Sequence, residues 1–127
     1  MASTTLFRNE ISGLSAGLTL AAKQYHAVKF ASTAGSVIVA AAATDNIVSI
    51  VQNDPTAGQP ALLPGPGDVC KAVAGKSDIV AGEWLTSNTT GQLSDSTTAN
   101  NKIIAQALQA STAVGDIISV QIAKFNY

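Results

Sequence analysis

His26 and Cys70 are the side chains of this 127-residue protein best suited to proton transfer or nucleophilic attack, and each is the sole residue of its type. A catalytic site needs several reactive groups that converge. His26 lies in Gln24-Tyr25-His26-Ala27-Val28, with no second histidine and no serine or cysteine motif beside it. That context predicts a satisfied strand histidine. Cys70, in Val69-Cys70-Lys71-Ala72-Val73, reads as a small buried hydrophobe. One cysteine cannot form an intrachain disulfide, and one cysteine with one histidine cannot compose a usual zinc set.

Phosphate chemistry fails on spacing. Val73-Ala74-Gly75-Lys76-Ser77 ends like a nucleotide-binding loop, but Cys70 stands where the first glycine is needed. Leu62-Leu63-Pro64-Gly65-Pro66-Gly67 has glycines without a lysine and reads as a turn. The eight carboxylates are scattered over Glu10, Asp45, Asp54, Asp68, Asp78, Glu83, Asp95 and Asp116. Several stand beside turn residues, where aspartate accepts backbone hydrogen bonds. Ser94-Asp95-Ser96-Thr97 lacks the charge density of a calcium loop. The expectation is a chain that is not an enzyme and uses no cofactor or metal.

The bulk composition sets what carries these residues. Charged residues make up 12% of the chain and the formal net charge is −1. A nucleic-acid binder needs a basic patch that displaces counterions, so no nucleic-acid partner is expected. Apolar residues reach 46%, too many for a disordered acidic tail. No apolar window is long enough for a membrane helix, and the first 22 residues lack the apolar core of a secretory signal. Ala 22, Gly 10, Ser 12 and Thr 12 fill 56 of 127 positions. The coat is therefore polar but uncharged, with little colloidal repulsion, and suits packing against another protein.

The signals along the chain are mostly strand signals. Residues 1–19 lack periodicity and read as an N-terminal arm, with Leu6, Phe7 and Ile11 as its apolar grip. Residues 20–127 read as one β domain. Strands are expected over 24–30, 36–40, 47–52, 61–63, 68–74, 82–87 and 116–124, separated by Gly, Pro, Asn and Asp turns. The last alternates most clearly, with Ile118, Val120 and Ile122 on one side and Ser119 and Gln121 on the other. Such a pattern predicts an all-β fold, a small barrel or sandwich of short strands. Residues 100–110 are ambiguous, because Ile103, Ile104, Ala107 and Leu108 also have helical spacing.

An internal echo bears on that ambiguity and points to a pseudo-duplication. At an offset of 56, Gly35 falls on Gly91, Ile47-Val48 on Ile103-Ile104, and Thr56-Ala57 on Thr112-Ala113. Lys23-Gln24-Tyr25 matches Gly82-Glu83-Trp84 with a small loop difference. Since 47–52 is β-branched and stops at Asp54-Pro55, its echo over 103–108 is assigned to strand as well. Tyr25 and Trp84, at echoing positions, are each expected to plug one end of a small barrel.

These residues carry a family resemblance. Ile79-Val80-Ala81-Gly82-Glu83-Trp84-Leu85 resembles a recurring step of the small capsid decoration (cement) proteins of tailed phages. Ala105-Gln106-Ala107-Leu108-Gln109-Ala110, followed by Ala113-Val114-Gly115-Asp116-Ile117-Ile118-Ser119-Val120-Gln121-Ile122, is similar to that family's closing strands. Val48-Ser49-Ile50-Val51-Gln52-Asn53-Asp54-Pro55-Thr56-Ala57-Gly58 resembles the earlier copy. Two departures are Val114, inserted before Gly115, and Lys23, where a glycine is expected before Gln24. The resemblance spans about residues 14–123.

The resemblance implies a β-barrel made in the host cytoplasm and bound to the outer capsid surface of a virion. Its partner there is the major capsid protein, and it is itself a homo-oligomer, a trimer. Its role is to staple capsid subunits, with no reaction and no cofactor. Leu6, Phe7, Arg8, Glu10, Ile11, Phe125 and Tyr127 are then the candidate capsid contacts, and Tyr25, Trp84, Ile118, Val120 and Ile122 the core candidates. Under this reading, removing residues 2–12 leaves the fold intact and weakens attachment. A surface-displayed host- or glycan-binding module, and a small enzyme built around His26, are the alternatives.

Overall fold

The computed structural model describes residues 7–95 and 98–127, and every regular element among them is a β-strand. In chain order these are β1 (Ser15–Ala16), β2 (Ala27–Phe30), β3 (Ser36–Val39), β4 (Ile47–Ile50), β5 (Val69–Val73), β6 (Trp84–Ser87), β7 (Leu93–Ser94), β8 (Lys102–Ala107) and β9 (Ile117–Asn126). They build two sheets, ordered β1-β3-β2-β4 and β5-β9-β8-β6-β7. No closed barrel forms, so the sandwich branch of the all-β expectation holds.

The strand assignment of residues 102–107 stands, and packing explains the helical look. β8 lies between β6 and β9, which use its backbone groups on both edges. Ile103, Ile104, Ala105 and Ala107 are all buried. A strand buried on both faces loses polar alternation and reads as a continuous apolar run. Residues 61–63, expected as a strand, form one isolated bridge, Leu63 to Ile11.

The two halves repeat one plan. β2 pairs antiparallel with β3 and β4, and β6 pairs antiparallel with β7 and β8. β1 runs parallel to β3, as Ala74 at the end of β5 does to Leu93 of β7. Ile11 and Ser15 bridge antiparallel to Leu63 and Pro60, just as β5 pairs with β9. Turn hydrogen bonds repeat as well. Tyr25 N donates to Val51 O and Gly82 N to Ala107 O; Gly58 N donates to Ala16 O and Gly115 N to Ala74 O.

This symmetry corrects two expectations. Residues 11–16 are no arm but the counterpart of β5, with Ala16 buried. They escape sequence reading because Gly13 and Gly17 interrupt them and no alternation marks them. The turn hydrogen bonds also set Tyr25 against Gly82 rather than against Trp84. Tyr25, not Lys23, therefore stands where the second half has its turn glycine.

Two apolar clusters hold the fold. One is confined to the first half, around Leu20, Val28, Val37, Val48, Val51 and Leu63. The other joins the halves, bringing Phe7, Ile47 and Ile50 against Leu85, Ile104, Ile118, Val120 and Ile122. Ile118, Val120 and Ile122 are buried as the alternation requires. Tyr25 and Trp84 are half-buried.

Candidate functional site

The reactive side chains are occupied structurally. His26 is half-buried, and its Nδ1 lies 3.1 Å from Gln24 O. Burial pulls its pKa below the usual imidazole value, so the ring is neutral at pH 7. The Cys70 thiol is pushed up to about 12 by burial, with Asp68 adding to the rise. A thiol in that state is no nucleophile near neutrality. Asp68, itself buried, accepts from Gly65 N at 2.9 Å and Asn9 N at 3.1 Å. Lys76 of the Gly-Lys-Ser sequence pairs with Asp95 at 2.7 Å. Among the described residues, no three His, Cys, Asp or Glu side chains are grouped to hold a metal. No helix among them is long and apolar enough to cross a membrane.

The expected partner contacts separate into unlike places. Leu6 lies outside the described residues. Phe7 is buried in the joint core. Ile11 is half-buried against Leu63, with its N donating to Leu63 O at 2.8 Å. Arg8 and Glu10 are exposed beside them. Phe125 near the end of β9 and Tyr127 just beyond it are 40% and 52% exposed.

The structure brings Phe125 to Trp84 and to a groove that the sequence did not reveal. The β8–β9 register slips between Ile103 and Ala105, so alternation counted from Ile118 does not carry through to Phe125. Its ring instead meets Trp84 edge to face, with centroids 4.9 Å apart and planes at 90°. Phe125 also lines a surface groove of about 300 Å³ with Phe30, Ile47, Ile103, Lys102 and Lys124. Phe30, the last residue of β2, is 56% exposed. The groove's lining comes from β2, β4, β8 and β9, so both sheets build it. The one sequence signal for Phe30 was an aromatic at a strand end, which by itself does not separate exposed from buried.

A second groove, of about 470 Å³, is lined by Phe7, Tyr25, Leu62 and Val69. Its polar groups are already paired. Gln52 Nε2 donates to Lys71 O at 2.8 Å, and Lys71 Nζ donates to Ser119 Oγ at 2.8 Å. The two grooves thus offer mainly apolar and aromatic surface.

No protein-family model matches the chain, and no curated protein matches it. A solved structure does. It is the N base of the head fiber gp8.5 of bacteriophage phi29. The TM-score is 0.66 at 15% identity, over 93% of this chain and 98% of that one. At this identity the likeness is one of fold, and it runs almost end to end on both sides.

Proposed function

We propose that the chain is a structural protein of a phage virion, seated on the outer surface of an icosahedral shell, where it stabilises contacts between major capsid subunits. The observation that carries the reading is the nearly whole-length fold likeness to the phi29 head-fiber base. The charge-poor coat and the exposed aromatic face support it, because both favour a lasting protein contact over life as a free monomer. In this role the chain catalyses nothing, and many symmetric copies add avidity to a weak single contact. A trimer is the assembly we propose on the shell.

The test mixes purified protein with heads assembled without it and follows co-sedimentation, then heat and osmotic resistance of the loaded heads. Binding with raised resistance supports the reading; no binding, or binding without any gain in resistance, overturns the stabilising role. A second reading, a displayed module that binds a host or glycan, draws on the exposed rings of Phe30 and Tyr127. Glycan capture that is lost on substituting these rings favours the second reading.

A further inference from the structure

We propose that the groove between Phe30 and Phe125 is the docking face, and that its occupant is an extended segment of the shell protein carrying an apolar side chain flanked by carboxylates. This rests on the shell-binding reading above.

The argument is one of charge complementarity. The chain has seven Lys and Arg in all, and two of them, Lys102 and Lys124, line this groove. The β8–β9 register places Lys102 opposite Asn126 and Ile103 opposite Phe125, and Lys124 lies next to Phe125 where that register slips. Among the described residues neither ammonium has a carboxylate within 4.0 Å, whereas Lys29 and Lys76 are both paired. No carboxylate lines the groove. The neighbouring Asp45 is held by Lys29 at 3.3 Å and by Ala41 N at 2.8 Å, so it does not turn inward. Partial burial also lowers the pKa of Lys124.

The floor is apolar, from Ile47 and Ile103 with the rings of Phe30 and Phe125. An aromatic floor with unpaired cations at its rim complements an acidic-apolar segment. A second copy of this chain fits poorly. A two-fold contact through this groove would bring each copy's lysines against their own equivalents, a like-charge clash. A neutral glycan would leave both ammoniums uncompensated.

The test uses the full chain, labelled with nitrogen-15. It is titrated with the peptide acetyl-Gly-Asp-Phe-Asp-Gly-amide and with a counterpart carrying Lys for each Asp. The expected result is saturable amide shifts at Phe30, Lys102 and Phe125 with the acidic peptide, and affinity weaker by about tenfold or more for the basic one. The K102E/K124E double variant should reverse that preference while keeping the remaining amide spectrum. If the double variant does not fold, Phe30→Ser, at an exposed position, should lose the acidic peptide about tenfold. Equal response to both peptides, shifts elsewhere, or a neutral oligosaccharide perturbing these residues where the acidic peptide does not would each overturn the inference. Co-sedimentation with heads separates the two readings. A folded K102E/K124E variant that binds heads like the natural chain sinks the groove and leaves shell binding standing. A natural chain that does not bind heads sinks shell binding, and the peptide result then decides the groove chemistry alone.

Discussion

Tyr25 and Gly82 occupy the same turn position in the two halves, and both have left-handed backbone, with φ of 69° and 97°. Glycine adopts that conformation freely, while a residue with a Cβ pays roughly 1–2 kcal/mol. The strain at Tyr25 is set by the turn, because Tyr25 N and His26 O are both bonded to Val51. Comparing Tyr25→Gly with Tyr25→Ala isolates it, since both lose the ring. The glycine variant should be more stable by about 0.5–1 kcal/mol, the left-handed penalty less the unfolded-state entropy of glycine. Conversely, Gly82→Ala should cost about 1 kcal/mol, because a Cβ there meets nothing within 4 Å and only conformation is at stake. Urea unfolding of the four proteins checks the set; equal stability of the two Tyr25 variants would remove the strain.

Gly91 tests the junction of the halves. Its φ is 82°, and an added Cβ would sit 2.5 Å from Val39 Cγ2 and 3.2 Å from Ala27 O. Gly91 O also accepts Ala27 N at 2.7 Å, which ties the second half to β2. Val39 is β-branched and stiff, so it cannot swing clear cheaply. Gly91→Ala should therefore cost about 2–4 kcal/mol, more than Gly82→Ala, by adding overpacking to conformation. A loss no greater than that of Gly82→Ala would mean the junction yields.

Asp116 and Gln59 do the same work in the two halves, one charged and one neutral. Asp116 Oδ2 accepts Thr112 N at 2.8 Å and Ala113 N at 3.0 Å, while Gln59 Oε1 accepts Thr56 N at 2.9 Å. The Thr112 and Ala113 amides, with the Thr112 hydroxyl, hold the Asp116 carboxyl below its usual 3.8. A depressed folded pKa contributes stability that is present above the unfolded value and lost as pH falls through the folded one. Asp116→Gln should remove that dependence. The gap in thermal midpoint between the natural chain and the variant should then narrow between about pH 6 and about pH 2. A gap that stays constant over that range would show that ionisation at Asp116 does not matter.

Cys70 responds at the other end of the scale. Its folded pKa of about 12 lies above its ordinary 9.0, so the unfolded chain releases this proton first as pH rises. Stability should fall from about pH 9 upward, and Cys70→Ala should lack that component. The native thiol should resist a disulfide reagent at about pH 8 and react once the chain is unfolded. Rapid modification of the folded protein would contradict its burial.

What was legible in the sequence followed from local physics. β-branched runs and Gly, Pro, Asn and Asp punctuation marked most strands, and Ile118, Val120 and Ile122 announced their face. The echo settled residues 102–107 because its partner β4 was unmistakably β. The rest depended on contacts far apart in the chain. β1 is two residues long and owes its place to β3, and β7 is equally short. Nothing local joined Phe30 to Phe125. The candidate groove is a product of topology, so only its individual rings could be read beforehand.

Phe7 bears on the N-terminal segment. The sequence suggested that residues 2–12 could be removed without harm to the fold. In the structure Phe7 is 7% exposed and belongs to the core shared by both halves. Asn9 N donates to the buried Asp68 carboxylate, and Ile11 N donates to Leu63 O. Phe7→Ala should therefore cost about 3–5 kcal/mol through lost burial and an unfilled cavity. Deleting residues 2–12 should cost at least as much, because Asp68 also loses a donor while staying buried. Thermal unfolding of both variants, read beside head binding, separates the roles. If they melt like the natural chain yet fail to bind heads, the segment is an anchor; if they melt early, it is part of the fold, as the Ile11–Leu63 bridge requires.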